Sequence, residues 1–116
     1  MKTELTVVYV GANGNSNLGK YFYSYDPEIL LVEECECPLT FTLSEATLPH
    51  YEIIDIFFSG SGKQFKDVKV SEDKRSISFV DINTKKQLIS LSILVKDTKL
   101  GNLINCDPQV MNKPPN

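Results

Sequence analysis

The sequence predicts an all-β protein, an antiparallel β-sandwich of about eight short strands with little or no helix. Three observations carry this. Apolar residues recur with period two along most of the chain, as in Leu39-Thr40-Phe41-Thr42-Leu43-Ser44 and in Ile89, Leu91, Ile93 and Val95 around Ser90 and Ser92. Such alternation describes strands with one buried and one wet face. The apolar positions are mostly β-branched or aromatic, types that suit a pleated surface. No stretch keeps an apolar face at helical spacing over three turns, so little is left for helices.

Taken in order, strands are expected at 4–11, 20–25, 29–34, 39–44, 51–58, 65–70, 75–80 and 87–96. Each is bounded by turn-forming residues. Asn13-Gly14 suits a left-handed pair and GANGNSNLGK reads as a hairpin tip, lacking the spacing of a phosphate-cradling loop. Ser59-Gly60-Ser61-Gly62 reads as a flexible turn, and Asp81-Ile82-Asn83-Thr84-Lys85 has hairpin chemistry. After Val95 the alternation decays, yet Leu100, Leu103, Ile104, Val110 and Met111 are too apolar for a free tail. Residues 97–116 are therefore expected to pack on the sandwich or to add an edge strand, with only Asn112–Asn116 frayed.

A chain of 116 residues with 41% apolar and 23% charged residues fits one domain, 1–116, that can bury a core unaided. Its apolar runs are too short to cross a bilayer, and no signal peptide is visible in MKTELTVVYV. The net charge of −3, scattered lysines and a single arginine, Arg75, argue against nucleic-acid binding. Cys35, Cys37 and Cys106 leave one thiol over in any monomeric disulfide scheme, which fits a reducing compartment; a cytoplasmic location is expected. No cofactor, membrane or small-molecule substrate is indicated.

Two segments echo one another: YDPEIL around Asp26 and CDPQVM around Asp107. Each Asp-Pro can be read as a turn, because proline biases its predecessor towards extended geometry and aspartate bonds nearby amides. Each can also be read as a labile bond. The aspartate carboxylate can attack its own backbone carbonyl, close a five-membered anhydride and expel the prolyl nitrogen. Tethering supplies an effective molarity of about 10⁵ M or more in the best cases. The leaving nitrogen still needs a proton, which a second carboxyl group can give. Asp26 and Glu28 are the candidate donors for the Asp107-Pro108 bond.

YSYDPEILLVEECECPLTFTLSEAT together with the terminal CDPQVMNKPP resembles the small bacterial DP-EP family. The resemblance covers most of the chain and is weakest between residues 60 and 86. It implies a β-sandwich with self-cleaving, self-assembling members, hence a homo-oligomer that processes itself at Asp107-Pro108. In LVEECECP, Glu36 is followed by Cys37 before Pro38, so the Glu-Pro pair of the family name is absent there. The rival reading is a non-catalytic assembly or binding module whose Asp-Pro pairs are turns.

Three other groupings carry less. Cys35, Cys37, Cys106 and His50 contain the ligand types of a Cys₃His zinc site, but Cys-x-Cys on a strand lacks the usual spacing and buried free thiols fit better. A cysteine nucleophile with His50 as base lacks a third group. Tyr21, Tyr23 and Tyr25 share one face of a strand, either as packing or, if exposed, as a surface for a partner.

Overall fold

Alternating burial produces ten strands among the described residues, in two facing sheets. A computed structural model of the chain describes residues 1–58 and 62–116. The strands are β1 (Lys2–Tyr9), β2 (Tyr21–Asp26), β3 (Ile29–Val32), β4 (Cys37–Leu43), β5 (Tyr51–Phe58), β6 (Phe65–Val70), β7 (Ser76–Asp81), β8 (Gln87–Asp97), β9 (Asn102–Cys106) and β10 (Gln109–Asn112). A 3-10 turn, Gly62–Gln64, precedes β6. The turn expected at 59–62 lies, except for Gly62, outside the described residues. No helix among the described residues is long and apolar enough to cross a membrane.

The first sheet has the order β2-β1-β4-β7-β6; the second has β3-β10-β8-β5, with β9 also on β8. An all-β sandwich is what the alternation predicts, and the sheets differ from the expected arrangement in two respects. The pairings β1–β4 and β3–β10 are parallel, so both sheets are mixed rather than purely antiparallel. The strand count among the described residues is ten rather than eight, because residues 97–116 supply β9 and β10. Of these, β10 is no edge strand: β3 lies on one side and β8 on the other.

Inward positions of both sheets meet in one core, with Leu5, Val7, Leu39, Phe41, Ile77 and Phe79 facing Ile53, Ile89, Leu91, Ile93, Val95 and Val110. Burying an aliphatic or aromatic side chain of this size contributes about 1.5–3 kcal/mol, and all three cysteines are free. Packing therefore holds the sandwich together without a disulfide. The β4–β5 loop is tied down by Arg75, whose guanidinium donates to the carbonyls of Leu48, Tyr51, Ser44 and Thr47 at 3.0, 2.9, 3.3 and 2.6 Å.

The hairpin tip between β1 and β2 folds over the open edge of β9. Ser16 Oγ donates to the Asn105 carbonyl (2.7 Å) and accepts from the Asn105 N–H (3.1 Å), while Asn17 Nδ2 donates to the Leu103 carbonyl (2.7 Å). Side chains thus occupy edge groups that could otherwise pair with a foreign strand. The tip needs glycine at position 14, where a Cβ would stand 2.0 Å from the Tyr21 carbonyl oxygen. Asn17 and Leu18 both have positive φ, at 50° and 56°, between Ser16 and Gly19, whose N–H donates to the Ser16 carbonyl at 3.2 Å. This is the pattern of a type I′ turn, which favours Asn-Gly. Leu18 is 98% exposed and gains no packing for its strain. Leu18→Gly is therefore expected to stabilise the protein by about 1 kcal/mol, read as a higher urea midpoint; an unchanged or lower midpoint would count against the assigned turn.

Candidate functional site

The Asp107-Pro108 bond lies inside an extended ladder. Asn102 to Cys106 pair with Asp97 to Ile93, and Gln109 to Asn112 pair with Ser90 to Gln87. Both sets keep the same antiparallel offset against β8, so β9 and β10 are one strand interrupted at Asp107 and Pro108, opposite Ser92 and Leu91. The turn reading is therefore corrected for this pair. Proline, with no N–H, breaks the ladder without changing its register: Leu91 N–H donates to the Pro108 carbonyl at 3.0 Å, and the reciprocal bond cannot form. Asp26-Pro27 is different. It stands where the chain leaves β2 of one sheet for β3 of the other, and its peptide bond is cis.

Groups on either side hold the Asp107-Pro108 segment in place. Ser92 Oγ donates to Asp107 Oδ1 at 2.6 Å, and its contact with Asn105 Oδ1 is longer, at 3.2 Å. The hydroxyl has one proton, and the shorter bond goes to the charged acceptor. The Tyr25 hydroxyl donates to the Cys106 carbonyl at 2.9 Å. Pro108 is buried, whereas Asp107 is exposed.

Asp107 opens onto a cleft of about 430 Å³ whose walls include Tyr23, Tyr25, Glu28, Ser90 and Gln109. Of the two carboxyl groups singled out from the sequence, Glu28 lines this cleft with Asp107. Asp26, the last residue of β2 and the partner of Glu4, does not. Burial pushes the Tyr23 phenol above its ordinary range; the Asp107 backbone N–H bonded to it pulls the other way, and the Asp107 charge adds to the rise. Tyr25 is raised first by burial. Burial and the adjacent Asp107 charge also push the Cys106 thiol up. At neutral pH these groups keep their protons and leave Asp107 and Glu28 as the carboxyl groups of the cleft.

Ser92, Tyr23 and Tyr25 were not identifiable as neighbours of Asp107 from the sequence. The alternation does put Tyr21, Tyr23 and Tyr25 on one face, but that face is turned inward: Tyr21 and Tyr25 are buried and Tyr23 is half-buried. The ladder is an internal one rather than a surface for a partner.

The cysteines and His50 are dispersed. Cys35 is exposed in the connection before β4, and Cys37 is buried at its first position. Glu36 between them has a φ of 52°, which breaks the alternation, so the Cys-x-Cys pair does not lie on one strand as expected and Cys35 is not a buried thiol. Among the described residues no group of three His, Cys, Asp or Glu side chains is gathered for a metal.

His50 borders a second cleft of about 320 Å³ that no cysteine lines. Its Nε2 is 3.4 Å from Asp97 Oδ1. Asp97 also accepts from the Tyr21 hydroxyl at 2.6 Å and from the backbone N–H groups of Lys99 and Leu100 at 3.0 and 3.2 Å. Burial pushes the Asp97 carboxyl up, but these donors and His50 together bring it below its ordinary value. Tyr21 is pushed up to about 12 by burial and by its bond to Asp97. This constellation closes the β8–β9 turn and presents no activated nucleophile. Compared with family models and with curated proteins, the chain matches none.

Proposed function

We propose that this protein is a self-processing β-sandwich that cuts its own Asp107-Pro108 bond and associates with itself. The observation that carries the reading is the cleft that both Asp107 and Glu28 line, beside a bond whose flanks are held by Ser92, Tyr25 and Leu91. An Asp107 side-chain oxygen forms a bond to the Asp107 carbonyl carbon. The C–N bond to Pro108 breaks as Glu28 gives its proton to the departing nitrogen. Water then opens the cyclic anhydride, leaving a free C-terminal aspartate on residues 1–107 and a nonapeptide, Pro108–Asn116, with a free imino terminus. One water is consumed. General-acid help of this kind is worth about 10²- to 10⁴-fold.

The self-association half rests on the outward face of the second sheet. Leu31, Met111 and Leu88 lie side by side across β3, β10 and β8, with Leu31 and Leu88 45% and 56% exposed. An exposed apolar row of this kind suits a second copy of the chain. It also favours the second reading, an assembly module with no cleavage. A cytoplasmic setting accords with three free thiols, two of them buried.

Concentration dependence tests the mechanism. In purified protein kept at neutral pH, the fraction cut per unit time is expected to stay the same over a hundredfold range of concentration, as attack within one chain requires. A rate that grows with concentration, or that vanishes after further purification, points to cutting by another molecule. Because β10 is hydrogen-bonded on both sides, the nonapeptide is expected to stay bound until the protein is denatured.

A further inference from the structure

Away from this cleft, three wholly buried polar residues join the two sheets: Asp81 at the end of β7, Asn83 in the following loop and Asn112 at the end of β10. Asn112 Nδ2 and the Asn83 backbone N–H both donate to Asp81 Oδ1, each at 3.0 Å. Asn83 Nδ2 donates to the carbonyls of Val32 and Glu34, each at 3.1 Å. These bonds set the direction of both amides, since each nitrogen faces an acceptor. Three atoms remain buried without a hydrogen-bond partner, Asp81 Oδ2, Asn83 Oδ1 and Asn112 Oδ1, and all are oxygen acceptors. Nearby Gln64 and Thr84 bond to each other and supply no donor to them.

A buried, unpaired carboxylate is costly unless something compensates its charge. Three occupants suit three acceptors differently. A proton on Asp81 gives one donor. A water gives two donors and no charge. A cation with a preference for hard oxygen ligands can take oxygens of all three residues as ligands and neutralise the carboxylate. One carboxylate matches one positive charge, whereas a divalent ion would leave the interior with a net charge. We infer that Asp81 Oδ2, Asn83 Oδ1 and Asn112 Oδ1 form an interior site for an alkali-metal cation, which clamps β10 to β7 across the sandwich. The inference stands whether or not the chain cuts itself.

The test is equilibrium unfolding of the uncut, full-length protein in sodium, potassium or choline chloride at equal ionic strength and neutral pH. Above saturation, each tenfold rise in sodium or potassium is expected to raise the folded-to-unfolded ratio about tenfold, with no such rise in choline. Asp81→Asn, which keeps an acceptor and removes the charge, is expected to fold and to lose the cation response. If that variant fails to fold, the wild-type comparison decides alone. Equal stability in all three salts overturns the site. So does stability that ignores the cation and falls as pH rises above 3.8, since burial raises the Asp81 carboxyl above that ordinary value and a proton held there would stabilise only the folded chain at lower pH.

Discussion

Arg75→Met is expected to lower the unfolding free energy by about 2–4 kcal/mol, from the loss of charge-assisted hydrogen bonds worth about 1.5–3 kcal/mol each, discounted because water can reach some of the freed carbonyls. The guanidinium serves four carbonyls at once, those of Ser44, Thr47 and Leu48 in the loop and of Tyr51 at the start of β5. That loop also carries the buried Thr47, whose Oγ1 accepts from Val7 N–H at 2.9 Å, so loosening it disturbs β1 as well. Arg75→Lys is expected to recover little, because an ammonium cannot reproduce the planar fork that spans four acceptors. Urea unfolding of the two variants measures both effects. A loss below about 0.5 kcal/mol for Arg75→Met, the scale of an ordinary surface substitution, would mean that the loop is held by other contacts.

The second large effect separates the two carboxyl groups that the sequence could not. Glu28→Gln removes the proposed proton donor while keeping the shape of the side chain, and is expected to slow cleavage by about 10²- to 10⁴-fold. Asp26→Asn is expected to leave the rate within a few-fold of wild type, since Asp26 does not line the cleft that holds Asp107 and Glu28. The readout is the first-order rate of appearance of residues 1–107 in denatured samples. Equal losses in the two variants, or a loss only in Asp26→Asn, would remove Glu28 from the mechanism.

Features carried by period-two alternation could be read directly: the strands β4, β7 and β8, the single apolar face of each, and the common face of Tyr21, Tyr23 and Tyr25. Features that depend on which strand lies beside which could not. β9 and β10 are short, of five and four residues, and are split by a dipeptide that usually signals a turn. Only their shared register against β8 shows them to be one strand. The parallel pairings β1–β4 and β3–β10 join segments distant in the chain and leave no local trace. Glu36, with positive φ, shifts Cys35 off the strand, and nothing in ECEC announces it. Asp81 and Asn83 sit in a stretch that reads as polar hairpin chemistry, yet both are wholly buried, because β10 returns to put Asn112 against them.

For the candidate site the same division holds. The residue types and the Asp-Pro bond were visible in the chain, as was the pairing of YDPEIL with CDPQVM. What brings Glu28 to the Asp107 cleft is tertiary. The chain crosses from β2 to β3, and β3 then runs parallel to β10, with Ile29 opposite Gln109. That pairing draws the segment just before β3 towards the segment just before β10. The two Asp-Pro motifs therefore precede neighbouring parallel strands, a relation invisible without the sheet order.

The most direct measurement is the mass of denatured wild-type protein and of Asp107→Ala after storage at neutral pH for several weeks. The proposed chemistry predicts that wild type divides into residues 1–107 and the nonapeptide Pro108–Asn116 while Asp107→Ala keeps its full mass. A wild-type chain that is still whole, or an alanine variant cut at the same bond, would contradict it.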